Sequence, residues 1–404
     1  MYIGCTIVYV FLIFHYFEPF YRGDELRYVT YAQNLLSGFF SPPAPDFNLW
    51  SGPGYPLVLA PFVLLGFSHF QLVLLNVVFL ILTLVLTRRS IGLFLPPNVS
   101  FLFLLFLGLY FPISKHIYFV HTECFTWFLV SGICYVLVRL ISARQSLKLC
   151  FYLSLLLAYL VMVKVIFGYV LMVVFILTLL HGAVKRSAKS LKQAAVFATA
   201  FVFCLPWLVY TYSITGRALM WTNCSSLSLY TMSTSYDGEY GDWIHPNLLA
   251  QEPEHHRFVS LVMTKKPLQQ FDMYQDQAIE NIKKNPSAYV KNWFFNVSRM
   301  LFEYPNNKRV KVGLAPLKSA IPLLILLPAI FSMISLHLKR RNEISTEISA
   351  GLLTVIVYLF GCSLVSAMER MFFITLPFWM VYIAYFWKFY SVSFKSYLSK
   401  LSLS

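Results

Sequence analysis

Two adjacent carboxylates, Asp24 and Glu25, follow the first long apolar run of the chain in the stretch "YRGDELRY". Asp24 could cap a helix while Glu25 improves its dipole, or the pair could do acid–base chemistry. Counted from Asp24, the residues Arg27, Tyr28 and Tyr31 lie on one helical face at i+3, i+4 and i+7. An acid beside an arginine and two phenols could orient a sugar, and capping does not exclude that chemistry.

Other ionisable side chains interrupt apolar runs further along the chain. They are His121 and Glu123 in "HTECF", Lys164 in "YLVMVKVIFGYVLMVV", and Glu369 with Arg370 in "SAMERMFFITLPFW". Ionisable groups at membrane depth are energetically expensive and are therefore candidates for function. Lys164 could snorkel to an interface or bind a lipid phosphate. Arg370 could pair with Glu369 or hold a phosphate through two hydrogen bonds, and His121 with Glu123 favours a polar cavity.

The segment "NLWSGPGYPLVLAPFVLLG", residues 48–66, combines turn-forming glycines and prolines with an apolar stretch that begins at Tyr55. This stretch is too short and too interrupted by proline to cross a bilayer. It could be a surface loop with an interfacial segment, or it could be a rigid wall of a substrate site.

Metal-ligating and nucleotide-binding motifs are lacking in the sequence. The seven cysteines are scattered, mostly within apolar runs, and His255–His256 have no further ligand at a recognisable spacing. No GxGxxG, Walker, HExxH or GxSxG pattern is found. The sequence therefore predicts no metal site and no soluble nucleotide-using or hydrolase module.

The elements that must position these residues are predicted to be membrane helices. Of the 404 residues, 58% are hydrophobic and 12% are charged, and the mean hydropathy is +0.65. Apolar runs of about 17–25 residues, the length that spans a bilayer as a helix, recur along the chain. We therefore expect an all-α, polytopic bundle of about ten transmembrane helices. The candidate spans are roughly 2–20, 69–87, 99–113, 117–138, 149–163, 165–182, 193–213, 317–337, 347–366 and 371–388.

The net charge of +15 is explained largely by membrane topology and not by a nucleic-acid partner. Basic residues concentrate in every second short loop, and the positive-inside rule places these loops, both termini and a tail at 391–404 in the cytoplasm. The segments 21–68 and 214–316 then lie on the outer face, and with the spans they form one domain over residues 1–390. Polar groups near the outer ends of the spans should converge on one outward-facing site.

The longer outer segment, 214–316, predicts amphipathic helices. A first helix covers 269–285, Pro286 takes a first-turn position, and a second helix covers 287–303 with apolar residues at helical spacing. A loop of this length that keeps an apolar face must pack against other parts of the protein.

The order and spacing of these motifs resemble the GT-C class of polyprenyl-phosphate-dependent glycosyltransferases. This class includes protein O-mannosyltransferases (family 39) and the aminoarabinose transferase that acts on lipid A. The likeness covers roughly residues 20–390 and is carried by the acidic pair, "PGYPL", "HTECFTWFLV", "VKVIFGYVLMVV", "LPWLVYTYSITGRALMWTNCSSLSLY", "QDQAIENIKKNPSAYVKNWFFNVSRML" and "MERMFFITLPFW". Two positions depart from the pattern: Ser51 stands where relatives often carry a basic residue, and Lys164 is followed by Val165 and not by proline.

The resemblance implies an enzyme of the cell (inner or plasma) membrane whose active site faces the periplasm or exterior. The donor would be a sugar on a polyprenyl phosphate, and the acceptor a hydroxyl of a glycan, lipid or protein. Asp24 would be the general base, and Lys164 with Arg370 would stabilise the leaving phosphate. Further site residues would be Glu25, Tyr28, Tyr31, Tyr55, His121, Glu123 and Glu369. The resemblance requires no cofactor and leaves a divalent cation open.

Two other classes of function stay open from the sequence. A secondary transporter or lipid flippase would often show paired inverted repeats and broken midplane helices, and the sequence shows neither. A non-catalytic membrane scaffold could keep the fold and lose the activity.

Overall fold

The computed structural model describes residues 1–142, 146–305, 315–339 and 344–401 of the chain. The regular elements in these ranges are α-helices, which confirms the predicted all-α class. Parts of two predicted segments, 306–314 of the long outer segment and 402–404 of the tail, lie outside the described residues.

Each predicted span overlaps one of these helices or a bent pair of them, and further helices fill the two long connections. In chain order the helices are α1 (Tyr2–Tyr16), α2 (Asp24–Leu36), α3 (Gly54–Leu64), α4 (His69–Ile91), α5 (Pro97–Gly108), α6 (Phe111–Ile117), α7 (Thr122–Ser142), α8 (Leu147–Val163), α9 (Ile166–Val184), α10 (Ala188–Thr215), α11 (Ser225–Ser233), α12 (Pro246–Leu249), α13 (Pro253–Met263), α14 (Pro267–Lys284), α15 (Pro286–Phe302), α16 (Ala315–Lys339), α17 (Thr346–Ser363), α18 (Glu369–Phe373) and α19 (Leu376–Leu401). The predicted tail is thus helical as far as residue 401.

Five of the described helices, α4, α7, α9, α10 and α17, are long and apolar enough to cross a membrane. The helices α5 and α6 meet that criterion only as a pair, with a bend of 48° between them. Shorter apolar helices are α1, α3, α8 and the stretch Ile321–Leu336 of α16. The chain is thus a helical membrane protein, and the count of ten spans stays a prediction.

Helix α2 begins differently from the capping hypothesis. Gly23, with φ of +54°, is the N-cap residue, and Asp24 is the first helical residue with no side-chain capping bond. The carboxylate of Asp24 still lies at the positive end of the helix dipole. The helix ends at Leu36, before Gly38, whose φ of +88° lets the chain leave the helix as predicted.

Helix α3 begins in direct contact with the end of α8. A methyl group at Gly52 would overlap the carbonyl oxygen of Met162, and one at Gly54 would lie 2.7 Å from the carbonyl carbon of Met162. The phenol of Tyr159 donates a hydrogen bond to the carbonyl oxygen of Gly54 at 2.9 Å. Glycine is needed at both positions because two peptide backbones meet there, so the 48–66 segment forms a rigid wall and not a loose loop.

Residues 217–305, called the loop domain below, fold around a second hydrophobic core. Its buried members come from α11 to α14 and their connections: Leu227, Tyr230, Ile244, Leu249, Val259, Val262, Tyr274 and Ala278. Helices α14 and α15 confirm the two predicted helices, and Pro286 is the first residue of α15. His255 is buried in this domain and bonds to Tyr230 at 2.8 Å and Glu239 at 2.9 Å, which accounts for it without a metal.

Candidate active site

Glu123 is the centre of a cluster of charged side chains. It stands in the first turn of α7, where the helix dipole favours an acidic residue, and its side chain is 1% exposed. Nζ of Lys164 lies 2.9 Å from Oε1 of Glu123, and Nη1 of Arg370 lies 3.6 Å from the same oxygen. One oxygen of a buried carboxylate therefore faces two cations.

Lys164 is placed by the junction between α8 and α9. It follows the last residue of α8, and its backbone angles (φ −126°, ψ 88°) leave the helical region before α9 begins at Ile166. The contacts of Gly52 and Gly54 described above hold this junction against α3. Because its ammonium group contacts a buried carboxylate, Lys164 turns into the protein and does not snorkel away from it.

Asp24 joins the cluster through two arginines. Its Oδ1 lies 3.0 Å from Nη1 of Arg27, one turn further along α2, and its Oδ2 lies 3.9 Å from Nη1 of Arg370. The guanidinium of Arg27 also lies over the ring of Trp50 at 4.6 Å. With 32% of its side chain exposed, Asp24 is far more accessible to an incoming molecule than Glu123.

Arg370 is positioned by the loop domain. On α15, Asn296 donates through Nδ2 to the carbonyl oxygen of Ser363 and accepts through Oδ1 from the N–H of Ala367, both at 2.8 Å. Nε of Arg299 donates to the carbonyl oxygen of Ala367 at 3.1 Å. These bonds fix the chain just before α18, so that the guanidinium of Arg370 faces the cluster. Its Nε is buried and has no hydrogen-bond partner within the described ranges of the chain.

Glu25 is adjacent to Asp24 but points away from the cluster. Its Oε2 accepts hydrogen bonds from Nε2 of His69 and from the N–H of Val120, both at 2.8 Å, and Oε1 accepts from the N–H of Arg22 at 3.0 Å. Burial alone would raise the pKa of Glu25, but these hydrogen bonds outweigh it and hold the pKa below its ordinary value. Glu25 therefore ties α2 to α4 and to the turn before α7, and the structure does not bring it to the site as a second catalytic acid.

The three tyrosines that were predicted to line a sugar site are buried near α2 and α3. Tyr31 donates its hydroxyl hydrogen to Oδ1 of Asn48 at 2.7 Å. Tyr28 packs edge-on against Tyr55, with ring centroids 5.3 Å apart. The hydroxyl of Tyr55 is buried and has no hydrogen-bond partner in the part of the chain that the structure describes. Tyr31 thus stabilises the fold, whereas Tyr55 keeps an unused donor in the interior.

Glu369 pairs with Lys115 and not with its neighbour Arg370. Oε1 of Glu369 lies 3.4 Å from Nζ of Lys115, and the same ammonium group pairs with Glu303 of the loop domain. Consecutive side chains of a helix point in directions about 100° apart, so α18 sends the two residues to different sides. The local ion pair that the sequence suggested is replaced by this separate group.

His121 lies beside Glu123, together with a second histidine that the sequence did not single out. Nδ1 of His121 is 3.3 Å from Nδ1 of His116, and Nδ1 of His116 is 4.0 Å from Oε2 of Glu123. His116 comes from α6, in "FPISKHI", where no motif marks it. Two imidazoles thus lie beside Glu123, whereas the polar cavity predicted around His121 and Glu123 stays a prediction.

The residues that hold the site in place were also missed from the sequence. Gly52 and Gly54 carried a usable signal, because paired glycines before an apolar run indicate close backbone approach. Asn296 and Arg299 are polar positions at i and i+3 on a helix with an apolar face, and such a pair indicates buried hydrogen bonding.

The cluster offers one accessible carboxylate, Asp24, and one buried carboxylate, Glu123. Arg370 approaches both, while Arg27 pairs with Asp24 and Lys164 pairs with Glu123. Such a set can take a proton from a hydroxyl group and can bind an anion that leaves nearby. No protein-family model matches the chain, and no curated protein matches it either.

Proposed function

We propose that the protein is an inverting glycosyltransferase of the GT-C type, which moves a sugar from a polyprenyl phosphate to an acceptor hydroxyl. The convergence of Asp24, Lys164 and Arg370 around Glu123 carries this proposal. These residues come from separate elements of a membrane protein, and their charges meet at one place. A lipid-linked donor suits a site in which apolar helices surround a small group of cations.

The reaction needs a base on one side of the sugar and an anion site on the other. The acceptor oxygen attacks the anomeric carbon, its proton goes to Asp24, and the bond between that carbon and the phosphate oxygen breaks. The bonding electron pair leaves with the polyprenyl phosphate, which is a competent leaving group without protonation. Direct displacement inverts the configuration at the anomeric carbon.

The two cations supply the electrostatic stabilisation of the leaving phosphate. Nη1 of Arg370 lies 3.6 Å and 3.9 Å from the two carboxylates, and no described residue offers its Nε a hydrogen-bond partner. A phosphate with oxygens at normal hydrogen-bond distance would satisfy these donors better than the carboxylates do. Glu123 keeps Lys164 and Arg370 in place before the donor arrives.

The proposal also includes ten membrane spans, a position in the cell membrane and an active site that faces outward. Polyprenyl-linked sugars allow glycosylation where nucleotide sugars are absent, so the acceptor would be a glycan, lipid or protein outside the cytoplasm. His121 would then contact the sugar, because its imidazole lies beside Glu123, and the buried hydroxyl of Tyr55 would have to be uncovered to do the same.

The test uses purified full-length protein, a radiolabelled polyprenyl-phosphate sugar and a mixed pool of acceptors. We expect Asp24→Asn to lower transfer or donor hydrolysis by about 10²–10⁴-fold, the usual contribution of a general base. Asp46→Asn is the matched control, because Asp46 lies in the same segment and pairs with Lys266 at the surface. It should keep the wild-type rate.

Two outcomes would contradict the proposed function. If Asp24→Asn keeps the wild-type rate of transfer, Asp24 is not the general base. Movement of labelled lipid across vesicles without any covalent transfer would identify a transporter or flippase instead.

A further inference from the structure

Three potential metal ligands meet beside the charged cluster. They are Nδ1 of His116 on α6, Nδ1 of His121 in the following turn, and Oε2 of Glu123 in the first turn of α7. One ligand atom from each of the three residues lies within 4.8 Å of the others. His116 and His121 are five positions apart in the sequence, and His121 and Glu123 are two positions apart. The bend between α5 and α6 and the short turn before α7 bring the three side chains together.

Their spacing is close to that of a tetrahedral zinc site. With Zn–N and Zn–O bonds of about 2.0–2.2 Å, neighbouring ligand atoms of a tetrahedron lie roughly 3.4 Å apart. The two imidazole nitrogens are 3.3 Å apart, and Nδ1 of His116 is 4.0 Å from Oε2 of Glu123. The two imidazole nitrogens thus lie at about the tetrahedral spacing, and the separation of 4.0 Å between His116 and Glu123 has to shorten when a metal binds.

The neighbouring cations approach only one oxygen of Glu123. Lys164 and Arg370 lie 2.9 Å and 3.6 Å from Oε1, while Oε2 lies 4.0 Å from Nδ1 of His116 and accepts a long hydrogen bond from the hydroxyl of Thr122 at 3.4 Å. The carboxylate can therefore bind a metal through one oxygen while Lys164 holds the other. Partners of this kind orient metal-binding carboxylates in known metal sites.

We infer that His116, His121 and Glu123 bind one Zn²⁺ ion with a fourth position left to water or a substrate oxygen. Two imidazoles and one carboxylate are the ligand set of catalytic zinc sites, whereas Mg²⁺ and Ca²⁺ prefer oxygen ligands throughout. The site goes beyond the proposed sugar transfer and does not depend on it. If both hold, an anionic oxygen of the donor is a chemically suitable fourth ligand.

Zinc binding by the full-length protein in detergent tests this inference. The protein is stripped with a chelator, dialysed and titrated with Zn²⁺ alone against a competing chromophoric chelator. We expect one tight ion per chain in the wild type. His121→Ala and His116→Ala should each weaken binding by more than the roughly 10–100-fold that loss of an outer-shell partner causes. His256→Ala is the matched control, because His256 is exposed in the loop domain, and it should bind as the wild type does.

Cobalt substitution gives a readout that does not require a variant to fold. Co²⁺ bound to two imidazoles and a carboxylate shows ligand-field bands without the near-ultraviolet charge transfer that thiolate ligands produce. Thiolate charge transfer would assign the metal to one of the cysteines and overturn the inference. So would a wild type without a tight site, in which case the two imidazoles form only a hydrogen-bonded pair, and so would equal affinity in wild type, His116→Ala and His121→Ala.

Discussion

Arg299 of the loop domain and Arg370 of the candidate site are both held inside the protein, in opposite kinds of surroundings. Arg299 is 2% exposed and Arg370 is 27% exposed. The nitrogens of Arg299 donate to the carbonyl oxygens of Tyr240, Gly241, Pro305 and Ala367 and to Oδ1 of Asn296. Among the residues that the structure describes, Arg370 is approached by carboxylates at 3.6 Å and 3.9 Å, and its Nε has no hydrogen-bond partner.

The comparison shows how a structural arginine differs from one that is available to a ligand. A guanidinium has five N–H donors. When fixed backbone carbonyls accept them, the side chain ties segments together and cannot turn toward anything else. When distant carboxylates balance the charge and leave donors unused, an incoming phosphate can take them. Arg299 stabilises the loop domain, and Arg370 is placed for binding.

The adjacent carboxylates Asp24 and Glu25 repeat the same contrast. Glu25 is fully buried and accepts three hydrogen bonds from the protein, whereas Asp24 is partly exposed and is shared between two arginines. In both pairs the two residues are of the same chemical kind. The member whose hydrogen-bonding atoms are used by the protein stabilises the fold, and the member with unused or exposed atoms belongs to the candidate site.

The strongest way to break the comparison is to remove the saturated arginine. We expect Arg299→Met to lower the free energy of unfolding by about 3–5 kcal/mol, because it leaves the buried carboxylate of Asp242, 3.2 Å away, without this partner. Denaturant unfolding followed by tryptophan fluorescence measures the change. Arg257→Met, at an exposed position of α13, should stay within about 0.5 kcal/mol of the wild type. An equally small effect of Arg299→Met would end the structural interpretation.

The same change in the site should affect turnover and not folding. We expect Arg370→Met to reduce sugar transfer by about 10²–10³-fold, which corresponds to about 2.7–4 kcal/mol of transition-state stabilisation. Its free energy of unfolding should stay within about 1 kcal/mol of the wild type. Arg370→Lys should give an intermediate rate, since lysine keeps the charge and loses the fork. Unfolding as severe as that of Arg299→Met would remove the distinction between the two arginines.

A change at Gly54 disturbs the site without altering any of its charged residues, because Gly54 only holds the surrounding helices in place. Gly54→Ala should cost about 1–3 kcal/mol of stability, since the added methyl group lies 2.7 Å from the backbone of Met162. Transfer activity should fall as well, because the junction that holds Lys164 must shift. Gly361→Ala is the control, because a methyl group there meets nothing within 4 Å. Equal stability of the two variants would show that the contact is not tight.

The smallest expected effect concerns Glu25 and its dependence on pH. The pKa of Glu25 is lowered in the folded protein, so its contribution to stability is present above the unfolded pKa, about 4.3, and is lost as the pH falls through the folded pKa. Glu25→Gln should cost about 1–2 kcal/mol near neutral pH, and the difference from the wild type should shrink in acid. Unfolding curves at several pH values measure this, and a difference that does not change with pH would contradict the ionised state of Glu25.

Local rules account for what could be predicted from the sequence. Helical spacing predicts helix α2, and Gly38 predicts that the helix ends just before it. Pro286 predicts the start of α15. The grouping of Glu123 and Lys164 was expected because apolar spans and basic loops place both near the same ends of their helices. Each of these features follows from residues that are neighbours in the sequence or from the position of a segment in the membrane.

Long-range packing explains what the sequence did not reveal. Asp24 and Glu25 differ by one position on a helix, and the side that each faces depends on where α4, α7 and α18 pack around it. The side chain of Glu369 points away from the site because the loop domain sets the orientation of α18. His116 lies in no recognisable motif, and the bend between α5 and α6 brings it to the site.

The contact between Gly52 and Met162 limits how the protein can be repaired by further mutation. A methyl group at position 52 would strike a carbonyl oxygen, and every amino acid that could replace Met162 carries that same oxygen. A substitution at residue 162 therefore cannot restore the fit after Gly52→Ala. A suppressor screen should recover revertants to glycine, or changes that shift a whole helix, but no compensating side chain at the point of contact.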